Sequence, residues 1–212
     1  VILVLSTVLT ASASYSDYAP VPKTGQENSY GTRDDGALQQ GIAWPTPRFT
    51  DNNDGTVTDN LTGLIWLKNP GCFGTADWST ALSDANTLND GECGLNDDSA
   101  EGDWRLPNVR ELLSLVDYSH SDPALPAGYD TYFSNVESRG DYWTSSTSAN
   151  NANEAWYVGL AGGYSGWSHI KDTNKDYVWP VRGESIPCPS GVVGGATLPA
   201  KPMTLYAPWL LL

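Results

Sequence analysis

The sequence predicts an α+β domain in which two helices pack on short antiparallel strands and loops outnumber regular elements. Three observations point there. Two segments near the middle of the chain, at 77–89 and 108–116, carry apolar residues at helical spacing. From Asp141 to Gly183, short runs rich in Val, Ile, Thr, Tyr and Trp alternate with glycine-bearing turns. Gly, Asn, Asp, Ser and Thr are abundant throughout, as expected of a loop-rich chain. Helices followed by a run of strands are the pattern of the α+β class. With 212 residues there is room for one sizeable domain plus tails.

Taken in order, residues 1–13 form an apolar run, Val1 to Leu9, ending in Ala11-Ser-Ala13. One reading is the tail of a secretory signal peptide. The other is a strand, too short to span a bilayer, that survives and is buried against another subunit. Either reading sends the chain out of the cytoplasm. Residues 14–47 are a Pro-rich, extended lead-in with turns at Asp34-Asp-Gly36 and Trp44-Pro-Thr-Pro47. The domain proper spans 48–183. Residues 184–212 are a Pro/Gly-rich tail ending in the apolar Pro208-Trp-Leu-Leu-Leu212, a second candidate for subunit contact.

Within the domain, residues 48–58 read as a hairpin with Asp54-Gly55 at its turn. Leu64-Ile-Trp-Leu67 is a buried strand. Residues 77–89 make the first helix, with Trp78, Ala81, Leu82, Ala85 and Leu88 on one face and Gly91 as the stop. An acidic loop follows, and then the clearest helix start in the chain. Asn108 caps, Glu111 completes the capping box, and Val109, Leu112, Leu113 and Val116 fall at i, i+3, i+4 and i+7. Residues 120–138 are irregular because Asp122-Pro123 and Leu125-Pro126 prevent a long helix. Strands are expected at 142–147, 155–159, 166–171 and 177–182.

Four motifs, in this order, carry a family resemblance: Trp104-Arg-Leu-Pro-Asn-x-x-Glu-Leu112, Tyr142-Trp-Thr-Ser-Ser146, Ala155-Trp-Tyr-Val158 and Val178-Trp-Pro-Val-Arg-Gly183. The chain resembles the DUF1566 family, named for the C-terminal domain of a collagen-like adhesin (the Lcl C-terminal domain). The resemblance implies a C-type-lectin-like fold related to the formylglycine-generating enzymes. It also implies that the late segment, around 150–175, carries the ligand face. Similar proteins are targets of diversity-generating retroelements, which would vary that face over a constant framework.

A net charge of −14 and a pI near 4.2 argue against nucleic acid and anionic membrane surfaces as partners, and against polysulfated ligands. Cys72 and Cys93 flank the first helix and are expected to pair, while Cys188 is left over. Asp97, Asp98, Glu101 and Asp103 supply oxygen donors for a Ca²⁺ ion, although without EF-hand spacing; solvated acidic side chains are the competing account. Neither His120 nor His169 lies in a nucleophile motif, so no enzyme activity is expected. The late segment offers Asn151, Asn153, Tyr157, Tyr164, Trp167, His169 and Asn174, the residue types of adaptable binding surfaces. The expected function is therefore an extracellular or cell-surface binding module for a glycan or protein, with no cofactor and no integral membrane segment. The alternative is a self-assembling structural or fibre subunit joined through its apolar termini. Trp104, Trp143, Trp156 and Trp179 are expected in the core.

Overall fold

The computed structural model describes residues 21–183. The expectations for residues 1–13, Cys188 and residues 208–212 lie outside the described residues. Two sheets organise the domain. The first contains β1 (Phe49–Asp51), β2 (Thr56–Asp59), β3 (Leu64–Leu67) and β9 (Val181–Gly183), in that spatial order. The second contains β4 (Thr75–Ala76), β8 (Asp176–Tyr177), β5 (Asp141–Thr147), β6 (Glu154–Gly159) and β7 (Ser168–Ile170). All pairings are antiparallel except that of β5 with β8. The α+β class is as expected.

The β1–β2 hairpin turns where Asp54-Gly55 predicts it. Asp54 Oδ1 accepts the Thr56 N–H at 2.9 Å, and Asp51 Oδ1 accepts the Asn53 N–H at 3.0 Å. Gly55 has a φ of +87°, and a Cβ there would collide with the Gly94 carbonyl. The hairpin tip therefore lies directly on the acidic loop.

Helix α2 (Trp78–Thr87) is capped by Asp77, whose carboxylate accepts the Thr80 N–H at 2.9 Å. Ala81, Ala85 and Leu88 are buried, and Trp78 and Leu82 are partly buried against the core. Cys72 and Cys93 are bonded across this helix, with Cα atoms 5.7 Å apart. Closing a loop of that size stabilises a fold by roughly 3 kcal/mol.

Helix α3 (Val109–Leu113) has the full capping box: Asn108 accepts from Arg110 and Glu111, and Glu111 accepts the Asn108 N–H. It is shorter than its apolar stripe suggests. After Leu113 the turn tightens to i→i+3 bonds, Leu115 to Leu112 at 3.2 Å and Val116 to Leu113 at 3.1 Å. The tightening brings Leu115 into the core together with Leu112 and Val116. Arg105 holds Glu111 through two hydrogen bonds of 2.7 and 2.8 Å.

The single strand expected over 177–182 is two strands in different sheets. Tyr177 ends β8 and Val181 begins β9. Pro180 has no N–H to give a ladder, while its carbonyl accepts the Leu67 N–H at 3.1 Å. Trp179, fully buried, donates from its indole to the Leu67 carbonyl at 3.0 Å. Those residues carry the chain through the core from one sheet to the other.

The main core lies on one face of the second sheet, around Tyr142, Val158, Leu160 and Trp179, with Trp66 and Trp104 beside them. On the other face, Trp143, Ala155, Tyr157 and Val178 meet Ala81 and Ala85 of α2. Trp104, Trp143 and Trp179 are core as expected. Trp156 is not: strand parity turns it away from Ala155 and Tyr157, and it remains half-buried. The lead-in also departs from a simple extended segment. It holds a turn of helix, α1 (Asp35–Leu38), capped by Asp34. It docks on the domain through Thr24, whose carbonyl accepts the Tyr118 N–H at 3.0 Å.

Candidate functional site

Register decides which side chains meet. Asp141 pairs with Gly159, Trp143 with Tyr157, Ala155 with His169, and Ala76 with Asp176. Since alternate residues share a face, Asp141, Trp143, Tyr157, His169 and Asp176 all lie on the α2 side of the second sheet. There His169 stacks on Tyr157, with ring centroids 3.8 Å apart, and stands edge-on to Trp143 at 5.9 Å. Its Nδ1 is 2.8 Å from Asp176 Oδ2. Asp141, His169 and Asp176 each present a donor atom within 4.8 Å of the others.

Gly159 makes this convergence feasible. A Cβ at that position would fall 2.8 Å from Asp141 Oδ1 and 2.7 Å from the Tyr164 ring. The Tyr164 ring and the Asp141 carboxylate thus both close on the Gly159 backbone, and the ring meets Tyr157 edge-on at 6.2 Å. Burial pushes the carboxyls of Asp141 and Asp176 above the usual range, while His169 pulls both back. The phenol of Tyr157 is pushed up to about 12 by burial first and by the Asp141 charge next.

The residues predicted to form the ligand face divide three ways. Tyr164 and Trp167 are exposed, Trp167 to 72%. Tyr157 is buried and His169 half-buried, so both support the surface from beneath. Asn151 and Asn174 are occupied in turns: Asn151 Oδ1 accepts the Asn153 N–H at 3.1 Å, and Asn174 Oδ1 accepts the Ile170 N–H at 3.1 Å. Asn153 is exposed in the β5–β6 connection, its carbonyl accepting the Lys171 N–H. Lys171 itself is held 3.9 Å above the Trp78 ring.

The acidic loop does not gather its carboxylates. Asp97 turns inward, its Oδ2 lying 3.0 Å from Arg182 Nη2 and its Oδ1 accepting from Ser99. Asp103 accepts the Ala100 N–H at 2.8 Å. Asp98 and Glu101 remain on the exposed side of the loop. Among the described residues, the cation-type donors that converge are instead Asp141, His169 and Asp176. Of these, sequence reasoning singled out His169 alone. Asp141 and Asp176 carry a weak signal: each begins a strand, at an alternate position to an apolar residue of the α2 face.

Among the described residues no helix is long and apolar enough to cross a membrane. No curated protein matches the chain. Residues 55–182, more than half the chain and running from the hairpin turn to the last strand, match the Lcl C-terminal domain family. The stretch contains the disulfide, both helices of the core and every residue of the cluster, and the chain belongs to the Lcl C-terminal domain family.

Proposed function

We propose that this protein is a non-enzymatic binding module on a C-type-lectin-like scaffold, working outside the cell and engaging a glycan or protein through the β6–β7 face. One observation carries the reading. Tyr164 and Trp167 stay 44% and 72% exposed, beside a framework in which Trp143, Ala155 and Trp179 are fully buried. Large aromatic surfaces held on a rigid base are suited to flat sugar faces and to protein contacts, because little side-chain entropy is lost on binding. The Cys72–Cys93 bond fits an oxidising compartment. The chain's charge of −14 favours neutral or cationic ligands over sulfated ones.

The test is an array of neutral, sialylated and sulfated oligosaccharides probed with wild type and Trp167→Ala. Binding to neutral glycans that is lost in Trp167→Ala, with an unchanged melting temperature, supports the reading. Equal binding by the two proteins overturns the assignment of this face.

A further inference from the structure

We propose that Asp141, His169 and Asp176 form a binding site for one divalent transition-metal ion of the Zn²⁺ class. The three side chains come from β5, β7 and β8 and project from the same sheet face, with donor atoms within 4.8 Å of one another. Their chemistry is mixed: imidazole suits zinc and its neighbours, and carboxylates complete such sites. Calcium prefers six to eight oxygen donors, more than this group supplies.

The dimensions fit. Zinc bonds of about 2.0–2.2 Å in tetrahedral arrangement set donors about 3.4 Å apart. The His169–Asp176 contact of 2.8 Å has to open by about half an ångström. Asp141 lies within 4.8 Å of both and, as a half-buried side chain, can adjust by rotation. Three protein donors leave a fourth position for water or a ligand group.

Two further observations point to an ion. Asp176 has a side chain only 5% exposed, and its one hydrogen-bond partner is the imidazole, which leaves its second oxygen unpartnered among the described residues. Asp141 accepts no hydrogen bond among the described residues, although it is partly buried. Two carboxylates gathered beside one imidazole, with the Asp176 side chain almost wholly buried, favour added positive charge at the site. His169 is also held in place before any ion arrives, clamped by Tyr157 and Trp143. Such fixed ligands lower the cost of assembling a metal site.

The site does not depend on the glycan or protein reading, and its test uses the metal alone. The full chain carrying Cys188→Ser, to remove a competing thiol, is stripped with a chelator and titrated calorimetrically with Zn²⁺; Co²⁺ absorption reports the geometry. One ion per chain is expected. Asp141→Asn and His169→Gln should each weaken binding by about tenfold or more, and His120→Gln should leave it unchanged. Among the described residues Asp141→Asn loses no hydrogen bond and it relieves repulsion with Asp176, so its metal-free melting temperature should be no lower than that of the parent. Absence of saturable binding in the parent, undiminished binding in both site variants, or loss in His120→Gln overturns the proposal.

Discussion

Arg48 and Asp59 show how much a single buried charge can hold together. Asp59 accepts from Arg48 Nε at 2.7 Å and Nη2 at 2.9 Å, and also from the Leu61 N–H and the Thr62 hydroxyl. Arg48 continues to the Ser114 carbonyl at the end of α3. Removing one member leaves the other charge buried without compensation, so Asp59→Ala should cost about 3–5 kcal/mol in urea unfolding. The tryptophans divide just as sharply. Trp143→Ala should cost about 3–5 kcal/mol by leaving a cavity and freeing the Ala76 carbonyl that its indole reaches. Trp167→Ala should stay within about 0.5 kcal/mol of wild type, because its side chain is in solvent. Equal losses for the two substitutions would place Trp167 in the core.

At the scale of elements, the two caps lend themselves to measurement. Asn108→Ala removes the acceptor for Arg110 and Glu111 and should cost about 1 kcal/mol. The carboxyl of Asp77 is held down to about 2, chiefly by the Thr80 N–H and then by Ser79. A depressed carboxyl contributes stability that is complete above its ordinary value of 3.8 and is lost as pH falls through 2. Asp77→Asn, which caps without titrating, should therefore show a smaller drop in melting temperature between pH 5 and pH 2. Identical drops would show that Asp77 contributes nothing to acid sensitivity. The same helices explain what could be read in advance. Asn108, Glu111 and the stripe behind them act within a few residues, so α3 was legible. The break at Val178-Trp-Pro180 was not, because strand-favouring residues on both sides of one proline look continuous until their partners, Leu64 to Trp66 and Thr75, are known.

At the scale of the molecule, the Cys72–Cys93 pairing followed from placement around one helix. Reduction should lower stability by roughly 3 kcal/mol, read as a shift in the denaturant midpoint with a native-like fold retained below it. The candidate site was half legible for a related reason. Trp167 and Tyr164 stand out by type within one segment, whereas Asp141 and Asp176 acquire meaning only through registers joining β5, β6, β7 and β8. The local signal, an aspartate opening a strand two residues before Trp143 or Val178, is too weak to set either apart from the many solvated ones.

The passage of Val178-Trp-Pro180 between sheets also sets a timetable. Leu64 to Trp66 wait for Val181 to Gly183, and the Leu67 carbonyl waits for an indole 112 positions later. A ribosome must therefore release nearly the whole domain before either sheet can close. Contacts this distant in sequence make for slow folding, and the domain cannot complete either sheet until β8 and β9 are available.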